Sequence, residues 1–251
     1  MLNFPVLLFF PTAICLWLAA RLGVALRKGR PLKDDDRDDF AVVQAATLTL
    51  LALIIGFSFS MAVSRYDLRK NDEEAEANAI GTEYVRAGLL PASEVPALRA
   101  QLRKYTDLRI LFYRTRSDDE LQQVGADTTR LQNEMWLAVQ GAASGQPTPI
   151  MGLVVSGMND VLNSQGYTQA AWWNRIPTSA WGLLALTAIC CNLLVGYGGR
   201  RSDPGAKRLI VLPIVIAVSF LLIADIDAPR GGLIHVSPQN LVSLQQSLHG
   251  Q

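Results

Sequence analysis

The chain has 251 residues, of which 50% are hydrophobic and 18% charged, and its formal net charge is +1. Charged residues make up about a quarter of a typical soluble domain, so this chain is unusually apolar for a soluble protein. It lacks a long basic run with interleaved aromatic residues, so nucleic acid is not its expected partner. The apolar composition makes the lipid bilayer the expected partner instead.

The first long apolar run spans about residues 4–26 and is interrupted only by Arg21. No basic residue precedes this run, and it is too long for the apolar core of a typical signal peptide. We therefore predict a retained membrane helix. The polar link that follows, residues 27–39, contains an aspartate cluster without the ligand spacing or the glycine of a calcium loop, so no metal site is predicted there.

The second run, residues 41–64, contains no charged residue and no proline. At about 1.5 Å per residue, a helix of this length crosses a hydrocarbon core of about 30 Å. Helical spacing places one set of residues on one face, namely Thr49, Leu53, Phe57, Ser60 and Ser64. This pattern is typical of a hydrophobic pore constriction with wettable ends. The alternative is that the hydroxyl groups bond to their own helix backbone, or that the face packs against neighbouring helices.

Residues 65–175 predict an extramembrane domain of amphipathic helices. The second membrane helix is expected to continue past Arg65 until Leu89-Leu90-Pro91, and Ser93 is a candidate N-cap for the next helix. A further helix is expected from about Asp118, and another after the break at residues 145–149. Four glutamates follow Arg65 on the first of these helices, and they fit either a solvated helix face or a ring around the vestibule of an oligomer: Glu73, Glu74, Glu76 and Glu83.

A second pair of membrane helices is predicted at about residues 178–197 and 209–226, within the segment 176–227. The first pair lies within residues 1–64, and a C-terminal tail covers 228–251. The fold class is therefore all-α, a polytopic membrane protein with four transmembrane helices and a helical domain between the second and the third.

Orientation is predicted from the basic residues of the two short links between membrane helices. The first link has five, and the second has Arg200, Arg201, Lys207 and Arg208. Lys and Arg favour the cytoplasmic side, so this bias places both links in the cytoplasm and the helical domain outside.

Little in the sequence supports catalysis. The only two histidines, His235 and His249, lie in the tail, and the three cysteines lie in apolar segments without metal-ligand spacing. We therefore expect no enzyme, no metal site and no cofactor.

Charged residues near the membrane boundaries are the remaining candidates for a functional role. Asp225 and Asp227 end the fourth membrane helix, and Arg230 follows them. Acids in this position are functional candidates, and the alternative is an ion pair with Arg65 or Arg175 that locks helix ends.

Four stretches resemble the bacterial bestrophin-like membrane proteins: residues 56–66, residues 76–82 with Leu89-Leu90-Pro91, residues 175–177 with Trp181, and residues 225–237. The Gly56-Phe57 pair, followed by residues 63–66, also resembles the second, pore-lining helix of bestrophins themselves. The resemblance implies a multi-pass protein of the bacterial inner membrane.

Bestrophins are pentameric anion channels, and the resemblance implies neck positions at Thr49, Leu53 and Phe57. A threonine is less bulky and less apolar than a bestrophin neck, and no equivalent of the acidic calcium clasp is present. Bestrophins also keep both termini and the region after the second helix in the cytosol, which conflicts with the orientation predicted from charge.

Two functions remain. The first is a homo-oligomer that conducts small ions, anions if it is bestrophin-like, through a pore lined by the second membrane helix. The second is a non-conducting, membrane-anchored helical protein that binds a partner or senses a signal.

Overall fold

The computed structural model describes residues 6–29, 32–33, 35–199 and 208–249. Every regular element in these ranges is helical. The elements are α1 (Val6–Gly29), α2 (Arg37–Arg86), a 3₁₀ turn (Ala87–Leu89), α3 (Val95–Arg114), α4 (Asp118–Gly145), α5 (Pro149–Trp173), α6 (Thr178–Gly198), α7 (Arg208–Asp227) and α8 (Gln239–His249). The all-α class predicted from the sequence is confirmed for the described residues.

Four helical segments are long and apolar enough to cross a membrane, and they contain α1, α2, α6 and α7. Helix α2 continues without interruption past Arg65 and has 50 residues. The predicted N-cap Ser93 is wrong by one residue: Glu94 occupies that position, and Pro96 lies in the first turn of α3. Proline is suited to a first turn because its missing N–H has no partner there in any case.

The chain divides into two compact units. The first unit comprises Met1–Tyr66 and Arg175–His235, and the second comprises Asp67–Asn174 and Val236–Gln251. Helix α8, expected as part of a separate tail, therefore belongs to the second unit, since its apolar face is buried at Leu241 and Leu248.

In the first unit, apolar residues of α1, α2, α6 and α7 form a shared core. Its buried members are Leu16, Leu51, Leu184, Ala188, Cys191, Ile216 and Phe220. A second cluster joins Ala62 of α2 to Ile223 and Ile226 of α7 and to Ile176. These contacts fix which side of α2 faces its own unit.

Helices α1 and α6 approach each other at backbone distance. A methyl group on Gly23 would overlap the carbonyl oxygen of Leu193, and one on Gly196 would overlap that of Ala20. Small residues allow this kind of close approach between membrane helices.

The second unit has its own core, formed by the C-terminal part of α2 with α3, α4, α5 and α8. Its largest fully buried apolar side chains are Ile80, Leu98, Leu102, Tyr105, Met135, Met158 and Leu241. Helix α3 is central to this unit, because α4, α8 and the 3₁₀ turn all pack against it.

Candidate functional site on helix α2

The five residues predicted to share one face of α2 are all exposed in the protomer. Leu53 has 53% and Phe57 63% of its surface exposed. On the opposite side of the helix, Leu51, Ser58 and Ala62 are buried at 2%, 3% and 0%. The predicted face is therefore turned away from the core of its own unit, and its large apolar side chains remain uncovered there.

Helix α2 is also the least buried of the four candidate spans. Only 6% of its most apolar window is buried in the protomer, compared with 44% for α7. A helix that is hydrophobic all round is normally buried in protein or lipid. The apolar surface of α2 thus needs cover from outside its own protomer.

Two of the three hydroxyl groups on the face bond to their own helix. Thr49 Oγ1 donates to the carbonyl oxygen of Ala45 at 2.9 Å, and Ser64 Oγ donates to that of Ser60 at 3.0 Å. This is the backbone bonding weighed above as an alternative. A hydroxyl group rotates, however, so each of them can also turn its proton outward and donate to a ligand.

Asp227 joins three parts of the first unit. Its Oδ1 lies 3.5 Å from Nη1 of Arg65, and its two carboxylate oxygens accept from the backbone N–H of Ile176 at 3.1 and 3.2 Å. The side chains of Arg65 and Asp227 are mostly buried, and Arg175 is half-buried. Asp227 thereby ties α2, the segment before α6 and the end of α7 together.

Asp225 holds the loop that follows α7. Its carboxylate oxygens accept from the backbone N–H groups of Leu233 and Ile234, each at 2.8 Å. Gly232 is needed for this turn, because a side chain there would press against both the backbone and the carboxylate of Asp225. Arg230 is half-buried in the same loop. The carboxylate of Asp225 is thus directed at backbone donors of its own chain.

Three of the four acidic residues expected on a solvated or vestibule-lining face are instead buried: Glu73, Glu76 and Glu83 are at most 1% exposed. Both interpretations were therefore wrong for these three. Their spacing could have predicted this burial, because the three glutamates recur at helical intervals with the apolar residues Ile80 and Ala87, which are also buried.

Glu76 and Arg109 form the central buried ion pair of the second unit. Arg109 Nε bonds to Glu76 Oε1, Nη2 lies 3.4 Å from Oε2, and Thr168 Oγ1 donates to the same Oε2 at 3.1 Å. The guanidinium also lies over the ring of Phe112, 4.4 Å from its centroid. Burial, followed by the charge of Glu76, raises the pKa of Tyr105 beside the pair, so that this phenol stays neutral. This network joins α2, α3 and α5.

Glu73 holds the start of α8. Its Oε1 accepts from the backbone N–H of Leu241 at 2.9 Å, and its Oε2 accepts from the side-chain amide of Asn240 at 2.6 Å. A carboxylate near a helix N-terminus satisfies otherwise unpaired donors and suits the helix dipole. Gln245 further along α8 donates to Asp107 of α3 at 2.6 Å. Helix α8 is therefore fixed by specific polar contacts as well as by apolar burial.

Comparison with known proteins identifies this architecture. The four apolar helices define a polytopic helical membrane protein. A family model described as a Bestrophin-like domain matches residues 6–241. The chain belongs to the bestrophin-like family.

Solved structures show the same fold. A crystal structure of a bacterial bestrophin homologue from Klebsiella pneumoniae is 13% identical, with a TM-score of 0.68 over 98% of this chain and 97% of that one. A single-substitution form of a bestrophin homologue from the same organism gives 13% identity and a TM-score of 0.67 over 97% and 99% of the two chains. A comparison with curated proteins finds no match.

Proposed function

We propose that this bestrophin-like chain assembles as a homo-oligomer around α2 and conducts small inorganic anions along the face formed by Thr49, Leu53, Phe57, Ser60 and Ser64. The observation that carries the proposal is the exposure of this face in the protomer. The opposite side of the same helix is in the core of the first unit, so rotation of α2 is fixed by packing. If copies of α2 surround a shared axis, the exposed face of each copy lines the pore along that axis.

The chemistry of the face supports anions rather than cations. One class of cation pore uses rings of Asp or Glu, and residues 41–64 contain no carboxylate. The hydroxyl groups of Thr49 and Ser64 can donate hydrogen bonds to a passing anion, whereas Leu53 and Phe57 form an apolar constriction between them. The family relationship makes five the oligomer number that we propose.

Ion flux through purified protein in liposomes tests the proposal. We expect chloride flux from the wild type and a several-fold higher flux from Phe57→Ala, because a smaller side chain widens and wets an apolar constriction. Phe59→Ala is the matched control. It removes the same side chain from a position 42% exposed that lies two residues further on, and therefore on another side of α2.

Two results would overturn the proposal: no flux from the wild type, or equal effects of Phe57→Ala and Phe59→Ala. A view of the purified particle down its presumed axis separates it from the alternative function. A five-fold ring with α2 innermost supports conduction. A monomer or a dimer without an axial opening supports the membrane-anchored partner-binding or sensor protein.

The side of the membrane that the second unit faces is a further proposal, based on the positive charge of the two links. Arg30, Arg200, Arg201 and Lys207, which contribute to that charge, lie outside the described residues. The bias places the second unit outside the cytoplasm.

Labelling of an introduced cysteine tests this orientation. Ser117 is exposed and precedes α4, so Ser117→Cys offers an accessible thiol. In a background with the three native cysteines replaced, we expect reaction with a membrane-impermeant maleimide on intact spheroplasts. Reaction only after the membrane is opened would place the second unit in the cytosol instead, as in bestrophins.

A further inference from the structure

Glu83 is a buried carboxyl group whose two oxygens have no hydrogen-bond partner among the residues that the structure describes. It lies on α2 well beyond Ser64, where the apolar stretch of that helix ends. Unsatisfied buried carboxylates are costly, and such a group normally avoids the cost by binding a proton. Packing alone therefore does not explain why an acidic side chain occupies this buried position.

Gly157 of α5 provides the space for this carboxyl group. A methyl group at Gly157 would overlap Oε2 of Glu83 and would come within 2.6 Å of Nη1 of Arg86. The absence of a side chain at this one position lets the carboxyl group press directly against α5. Glu83 is thus enclosed between two packed helices.

The charges around Glu83 come from both helices. Arg86, one turn further along α2, favours its ionised form, and the exposed Asp160 of α5 disfavours it. The 3₁₀ turn that packs against α5 contains no ionisable residue. Arg99 and Arg103 of α3 bond to Tyr84 instead, through its carbonyl oxygen and its hydroxyl group.

Burial is the largest of these influences, and it raises the pKa of Glu83 to about 8. The side chain is therefore mostly neutral at pH 7. A neutral carboxyl group tolerates its enclosed position, whereas a charged one must attract water or move.

We propose that Glu83 is a proton-binding site: it is a neutral carboxylic acid in the folded protein near neutral pH, and loss of this proton in the alkaline range weakens the packing of α2 against α5. The reaction is a simple ionisation, in which the carboxyl O–H releases H⁺ to solvent and leaves a carboxylate between the two helices. Nothing in the proposal depends on ion conduction.

The direction of the pH effect follows from linkage. The pKa of Glu83 is raised on folding, so between its unfolded value near 4.5 and about 8 the folded state holds more of this proton than the unfolded state. Stability is then lost as pH rises through this window. Below it both states are protonated, and above it both are ionised, so the contribution of Glu83 is constant outside the window.

Apparent melting temperatures of the full-length protein in one detergent, measured at pH 6 and at pH 9, test the site. We expect the wild type to lose about 5 °C more than Glu83→Gln between these two pH values, since glutamine is similar in shape and does not titrate. Glu74→Gln is the matched control, because Glu74 is an exposed residue of the same helix, and it should follow the wild type.

Infrared spectroscopy detects the proton without relying on stability. The wild type should show the carbonyl stretching band of a protonated carboxylic acid, which disappears with a midpoint near pH 8. This band should be missing from Glu83→Gln and present in Glu74→Gln. Equal pH dependence of the melting temperature in wild type and Glu83→Gln, or a wild-type spectrum without the band at pH 6, would overturn the proposal.

Discussion

Arg109→Met is expected to destabilise the protein by about 3–5 kcal/mol, because it leaves the carboxylate of Glu76 buried without its counter-ion. Glu76 is fully buried and Arg109 is 1% exposed, so solvent cannot replace the missing charge without local unfolding. For a protein of this size the expected fall in apparent melting temperature is about 10 °C. Thermal unfolding in detergent, followed by tryptophan fluorescence, measures it.

A double variant distinguishes the cost of an unpaired charge from the loss of arginine packing. Glu76→Gln combined with Arg109→Met removes both charges and keeps an acceptor for Thr168, so it should recover most of the lost stability. Arg130→Met is the surface control. Arg130 is 63% exposed beside Asp127 and Glu134, and its loss should change stability by less than about 0.5 kcal/mol. A double variant no more stable than Arg109→Met would show that the pair itself is not the source of the effect.

Gly196→Ala is the second variant with a large expected effect. The new methyl group would overlap the backbone of α1 at Ala20, and a backbone atom cannot move aside as a side chain can. Overpacking of this kind costs about 1–3 kcal/mol and sometimes more, and we expect the upper end of that range. The result should be a lower melting temperature and a smaller monodisperse fraction in size-exclusion chromatography.

Gly182→Ala is a matched control within the same helix. Nothing lies within 4 Å of a methyl group at Gly182, so this change should be neutral or slightly stabilising. Gly23→Ala approaches the same contact from α1, and it should resemble Gly196→Ala. If Gly196→Ala and Gly182→Ala behave alike, α1 and α6 are not packed at backbone distance.

Helix positions and the exposed face of α2 follow from local patterns in the sequence. Long apolar runs predict the ends of α1, α6 and α7 to within a few residues, because a bilayer imposes length and composition directly on a helix that crosses it. The set from Thr49 to Ser64 was found by spacing alone, since one face of a helix recurs every three or four residues. Its function as a pore remains a prediction.

The polar contacts of the second unit were not predictable in the same way. Glu76 meets Arg109 of α3, and Glu73 meets α8 near the end of the chain, so each partner is far away in sequence. A carboxylate is normally expected on a solvated face. Its burial is tolerated only where a partner in the folded protein offsets the free-energy cost of removing the charge from water. Close backbone approach at Gly23 and Gly196 also depends on how two distant helices meet.

The hydrogen bonds between Glu73 and the start of α8 affect when the second unit can fold during synthesis of the protein. The second unit needs α8 to complete its core, and α8 is synthesised after α6 and α7. Domains usually fold as units in the order of their synthesis. The second unit therefore cannot complete its core until α6, α7 and α8 have been synthesised. Until then, Glu73 lacks the hydrogen-bond donors of Asn240 and Leu241.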